Sequence, residues 1–400
     1  MSMSSYFKGW ATSTPVLRTA FSVLRNVAPV ARFGKTIVVT RYNDVQDVLL
    51  REDAFTVHEI DGYKMEVMGN PFVLGMDASE EATRDRAMLQ QVIKREDLVL
   101  IRNMIRSIAA DLIQQAAPKK QIDTVDVYAR LAAVRLVAQY FGVPADEKKM
   151  MEWQRAIFNE AFVNLNNDKT VHGRGMVAAK EVAVHIAGLI TQRKQQQQPL
   201  EDNVLNRLIA KQADTAWLDD DAVRRNILCI LGVVENTSKV VTHVIDQLLR
   251  RPEVLAQARQ AAVNGDMDTV HDYAFEALRF NPHNPVILRF CKNGAVIGSG
   301  TPHEKKIPAG STIYAATLSA MFDPSTVAAP NEFRPGRKVD CMHFGYGPHL
   351  CTGRYISEVT VPELVAGLLK LPNLRRAPGS AGRIVYEDLV FPKSLTLQFD

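Results

Sequence analysis

Cysteine is scarce in this chain. There are four in 400 residues, and Cys229, Cys291, Cys341 and Cys351 show none of the paired spacings of a disulfide scaffold or a structural zinc site. That usage fits a reducing compartment, and a cytoplasmic location is expected. Long apolar runs are also lacking. The longest uninterrupted one near the middle, residues 227–234, is far too short to cross a bilayer. The N-terminal region carries Lys8, Arg18 and Arg25 and has no signal-peptide core. Nor is there an excess of charge of one sign. Forty-eight Lys and Arg stand against 44 Asp and Glu, a net of +4, which gives no footprint for general nucleic-acid binding. Neither a membrane nor a nucleic acid is expected as a partner. Asn236-Thr237-Ser238 fits a glycosylation sequon, but it lies in an apolar helical stretch without a secretion signal and is read as a chance match.

What is present is mostly helical pattern. Composition is that of an ordinary globular protein, 46% hydrophobic and 23% charged. Residues 36–40 read as a short strand, followed by a helical stretch through Val45, Val48 and Leu49. Residues 58–76 read as a loop, with Gly62, Gly69, Pro71 and Gly75. Helical periodicity then dominates from 80 to about 272, broken at 195–199 by a polar surface loop ending in Pro199. Asp219, Asp220 and Asp221 form a capping-type start for a long helix expected to run to Arg250. Another helix ends at Phe280, before Asn281-Pro282. From 286 to 317 the pattern shifts to short strands and turns. The reading is mainly α with small β-sheets, without an internal repeat.

The most informative segment is Phe344-Gly345-Tyr346-Gly347-Pro348-His349-Leu350-Cys351-Thr352-Gly353. It reads as a loop that presents one cysteine thiolate to a metal centre. Gly345 and Gly347 let the backbone bend tightly and approach a flat ligand. A helical pattern follows over 354–371, with Pro362 as a candidate kink. Cys351 therefore sits near a helix N-terminus, where free N–H groups and the dipole favour a negative sulfur. Gly353 permits close packing beneath the ligand. A dinucleotide fingerprint is excluded, because Leu350 stands where its third glycine belongs.

At these residues the chain resembles the cytochrome P-450 family of haem-thiolate monooxygenases, in its soluble bacterial type. Every fixed position of the family pattern Phe-Gly-x-Gly-x-His-x-Cys-x-Gly is matched. The resemblance implies one domain over residues 1–400, a bound haem b (iron protoporphyrin IX), and Cys351 as the iron ligand, with Phe344 and Gly353 in the haem-binding loop. Glu276 and Arg279 share a helix face and by spacing alone form a solvated ion pair. The resemblance instead joins them to Arg337 as a fold-locking triad. It also implies that Arg289 and His349 bind haem propionates, with Arg86 a third candidate. The family commonly has His four residues before that arginine. Ala82 stands there, so one propionate contact is expected to be absent or replaced.

The long helix departs from the family. Counting back from Arg251-Pro252-Glu253 places Glu235 at the family's acid and Asn236 at its threonine, with Thr237 next and Val233 replacing a small residue. A hydroxyl both accepts and donates, so it relays protons. An amide holds an oxygen by hydrogen bonding but passes protons on poorly. Hydroperoxide-rearranging members of the wider family also carry an asparagine in this helix. Pocket candidates from the family layout are the loop 65–76, Phe158, Phe162, Val233, Val234, Val286, Ile287, Leu288, Val390 and Phe391. They are mostly apolar, in keeping with a hydrophobic substrate, and each also reads as plain core. The expected reaction inserts one oxygen atom from O2 into a hydrophobic small molecule, with electrons from a reductase and a ferredoxin or flavodoxin docking near Arg84, Lys94, Arg95 and Arg354. The alternative is an enzyme that uses peroxide or a lipid hydroperoxide. A haem sensor without turnover is a third reading, opposed by Glu235 and the complete cysteine loop.

Overall fold

The strand expected at 36–40 forms as Thr36–Val39. It appears in a computed structural model that describes residues 13–69, 71–164, 167–198, 200–387 and 390–400. Lys8 and Pro199 lie outside those residues. The contacts divide the chain into two compact units.

The first unit takes the chain up to Ile60, His243–Leu255 and Asp268–Cys351. Its sheet has five strands in the order Val30–Phe33, Thr36–Val39, Ser311–Ala315, Ile287–Cys291 and Phe55–Thr56. Thr36–Val39 pairs with Ser311–Ala315 in parallel, and the other pairings are antiparallel. Alternation puts Ile37, Val39, Ile313 and Ala315 into one core with Val45, Val48 and Leu49 of the helix Tyr42–Leu50. Met342 joins this core and Tyr346 packs on it, so the cysteine loop is seated on the sheet. The helix Met267–Phe280 supplies the expected triad. Arg279 Nη2 lies 2.7 Å from Glu276 Oε1, and Arg337 Nε lies 3.1 Å from the same oxygen. Glu276 and Arg279 are buried and Arg337 is half-buried, and Arg279 also donates to the carbonyls of Met321, Pro330 and Glu332.

The second unit takes Asp61–Thr242, Ala256–Met267 and Thr352–Asp400. The helix Arg354–Leu369 packs along Leu98–Ala116, continues through Pro362 and ends two residues earlier than expected. Tyr128 ties it down by donating from its buried hydroxyl to the Leu364 carbonyl at 2.8 Å. The hairpin Val385–Glu387 and Phe391–Ser394 and the strands Gln121–Asp123, Thr396–Gln398 and Arg375–Arg376 complete the unit.

Two sequence expectations are corrected. Residues 58–76 are not one loop. They contain a π-helical turn at His58–Gly62, the helix Tyr63–Val67 and a 3-10 turn at Val73–Gly75. The long helix starts as expected, with Asp219 accepting from the Ala222 amide at 2.8 Å. It then breaks into Asp220–Ile230 and Val233–Leu249. The break falls at Leu231-Gly232. A Cβ at Gly232 would stand 3.0 Å from Phe158 Cζ, so the close approach of that ring favours glycine, which is a poor helix former. Three-residue turns from Leu231 to Leu228 and from Val234 to Leu231, both 3.2 Å, replace the α-helical ladder there. The stretch Asp220–Leu249 is long and apolar enough to cross a membrane, but 67% of its most apolar window is buried within the protein.

Candidate active site

The cysteine loop owes its shape to two glycines. Gly345 and Gly347 have φ of +79° and +72°, a region that side chains strain to enter. A Cβ at Gly347 would also lie 2.7 Å from the Leu49 carbonyl oxygen. The turn closes where the Cys351 amide donates to the Phe344 carbonyl at 3.0 Å. Phe344 packs against Phe275 at 5.7 Å between ring centroids, and Ile287 comes up to Gly345. Cys351 is half-buried, two residues before Gly353, which caps the helix Arg354–Leu369. The other cysteines of this unit suit a thiolate poorly. Burial pushes the Cys341 thiol up to about 11 and raises that of Cys291.

In the second unit Glu235 is fully buried between two arginines. Arg130 Nη2 lies 2.7 Å from Glu235 Oε1, and Arg155 Nε lies 2.7 Å from Oε2. Both guanidiniums lead outward, Arg130 to Asp126 at 2.7 Å and Arg155 to Glu387 at 2.6 Å. These side chains border a cleft of about 840 Å³ that also carries Lys148, Lys149, Lys169 and Arg174. Burial opposes the charge on Arg130, yet Glu235 and Asp126 raise its pKa. The next residue, Asn236, is half-buried, and its buried Oδ1 accepts no hydrogen bond. Thr237 is buried.

The apolar candidates separate. Phe391 is buried and meets Phe158 edge-on at 5.9 Å, and Phe158 meets Phe162 at 5.0 Å. Val233 is half-buried at the start of its helix, whereas Val234 is fully buried. In the first unit Val286 and Ile287 lie against the two hydrophobic cores of that unit.

The Cytochrome P450 profile matches residues 31–394. The chain belongs to the cytochrome P450 family. It is similar to a bifunctional dioxygenase–epoxy alcohol synthase of Fusarium oxysporum, 26% identical over 87% of this chain and 30% of that protein, so it spans under a third of that relative. It is also similar to a cytochrome P450 of Bacillus subtilis, 24% identical over 86% of this chain and 82% of that one. Among solved structures, CalO2 shares the fold with a TM-score of 0.83 at 21% identity, covering 97% of this chain and 96% of that one. Membership makes this P450 an oxidoreductase of the monooxygenase kind that works with haem.

The residues present fit such a group. The loop offers one sulfur beside a helix start, and soft thiolate suits iron. Arg289 is buried in the strand Ile287–Cys291, where Nη1 donates to the Leu288 carbonyl at 2.8 Å. Arg86 has a buried Nε without a hydrogen-bond partner, a donor suited to an anion. His349 Nε2 lies 2.8 Å from the Glu52 carboxylate. A propionate at His349 would have to share the imidazole with Glu52.

Sequence reading missed Arg130 and Arg155 as holders of Glu235, and Lys239 beside Phe391. For the arginines no local signal existed. For Lys239 there was one, a lone lysine in an otherwise apolar helical run after Ser238.

Proposed function

We propose that this P450 inserts one oxygen atom from O2 into a hydrophobic small organic substrate, with haem b held by the Cys351 thiolate and with electrons from a ferredoxin or flavodoxin and its reductase. The observation that carries this reading is the glycine-bent loop that sets one half-buried cysteine at a helix start. A thiolate-bound haem supplies oxygen activation, aided by electron density from sulfur. The chain's own part is to bind, orient and deliver protons. Arg289 and Arg86 hold propionates, Phe344 and Gly353 line the haem loop, and His349 contributes through the side it does not give to Glu52. Phe391, Val233, Val234, Val286 and Ile287 form the apolar lining for the substrate. Glu235, reached from the solvent cleft through Arg130 and Arg155, serves proton delivery, with Asn236 and Thr237 next to it. The carrier docks at the basic surface of Arg84, Lys94, Arg95 and Arg354. The protein works in the cytoplasm.

A second reading has a specific basis. Asn236 places an unpartnered amide oxygen where the family carries a hydroxyl, and the Fusarium relative includes an epoxy alcohol synthase. Under this reading the enzyme rearranges a hydroperoxide without external electrons. Stoichiometry separates the two. NADH-linked O2 consumption with oxygenated product supports the first, and hydroperoxide loss without NADH supports the second.

A further inference from the structure

The helix Val233–Leu249 carries a lysine in its buried part, where cations are costly. Lys239 is 6% exposed. Its ammonium lies 5.4 Å from the centre of the Phe391 ring. The charged groups around it are already matched with one another. Glu235, one turn earlier on the same helix, is held through both oxygens by Arg130 and Arg155. Arg155 stands 5.2 Å from the same Phe391 ring and pairs with Glu387 on the adjoining hairpin. Among the described residues no carboxylate is left to pair with Lys239, and burial alone pulls its pKa down to about 7.

An aromatic row begins beside this cation. Phe391 leads to Phe158 at 5.9 Å, Phe158 to Phe162 at 5.0 Å, and Phe162 to Phe72 at 6.4 Å. Lys239 also lies three residues after Asn236, on the same face of the helix. A polar handle at one end of an apolar, aromatic wall is the layout that orients an amphipathic ligand. We propose that Lys239 is the anchor for a carboxylate on the substrate, and that the substrate is an organic acid whose apolar body lies along Phe391, Phe158 and Phe162. This rests on the oxygenase reading only in calling the ligand a substrate. A monoanion fits better than a phosphate, because one ammonium is available and both neighbouring guanidiniums are engaged.

The test is calorimetry on the haem-loaded enzyme at about pH 8, where a lysine of this kind is mostly neutral. The probes are dodecanoate, hexadecanoate and phenylbutanoate beside the corresponding primary alcohols, each in buffers of two ionisation enthalpies. The acids are expected to bind about 10- to 100-fold more tightly than the alcohols. Each acid should take up close to one proton as it charges Lys239, and the alcohols none. Lys239→Met and Lys239→Gln should bring the acid and alcohol affinities together. Equal affinities in the wild type, acid binding without proton uptake, an undiminished preference in a folded variant, or no binding by any acid would each overturn the proposal. The wild-type proton count decides the matter even where both variants misfold. The ferrous carbonyl spectrum is recorded on the same sample. Loss of its thiolate signature would remove the oxygenase reading and leave the calorimetric result standing.

Discussion

Arg155 Nε lies 2.7 Å from the buried Glu235 carboxylate, and its Nη1 lies 2.6 Å from Glu387 nearer the surface. One guanidinium thus joins an interior acid to an exposed one. The acid is fixed by charge on both oxygens, because Arg130 holds the other. Its removal would leave two buried cations with only their solvent-facing partners, Asp126 and Glu387, and no counter-charge in the interior. Glu235→Gln is therefore expected to destabilise the fold by about 3–5 kcal/mol in denaturant titration. Glu387→Gln, half in water, should cost about 0–1 kcal/mol. Equal losses would show that Glu235 is not the centre of the network.

Arg289→Leu is expected to reduce haem retained after purification strongly, because Arg289 is buried and is assigned to a propionate. Arg174→Leu, at an exposed position, should leave haem content unchanged. Arg86→Leu should fall between them, as a half-buried side chain whose Nε has no other partner. The measurement is haem absorbance per protein. Equal content in the Arg289 and Arg174 variants would refute the assignment.

Lys239 gives stability a pH dependence of known sign. Burial lowers its folded pKa to about 7, well below the ordinary lysine value of 10.5. Between those values the unfolded chain binds the extra proton, so stability rises with pH across this window, by up to about 1.4 kcal/mol per unit. Below about pH 7 both states are protonated and the full cost of burying the charge is present. Lys239→Met should therefore stabilise the protein, more near pH 6 than near pH 10. A variant whose gain is the same at both would place Lys239 in contact with water or an anion.

Asn236→Thr tests the helix position that departs from the family. If the protein works with O2, the hydroxyl should preserve or improve the fraction of NADH converted to product, because it relays protons that the amide passes poorly. If it works with a hydroperoxide, the same change should suppress rearrangement by removing the anchoring amide. An unchanged result in both assays would mean that Asn236 does not meet the oxidant.

Much of the site was legible because it is local. The glycines, histidine and cysteine of 344–353 carry their chemistry within ten residues, and Glu276 meets Arg279 three residues on. The five-strand sheet was readable only in part, since Thr36–Val39 finds its parallel partner at Ser311–Ala315. What stayed hidden depends on distant chain. Glu235 is held by arginines 105 and 80 residues away. The break at Leu231-Gly232 answers to the Phe158 ring on another helix. Glu52 at His349 is of the same kind, a contact between residues far apart in the chain.

The central claim is that Cys351 holds the iron, and the ferrous carbonyl spectrum tests it most directly. Wild type and Cys341→Ala should both show the strongly red-shifted Soret band of thiolate ligation, and Cys351→Ala should lose it. A band that survives in Cys351→Ala and vanishes in Cys341→Ala would contradict the account.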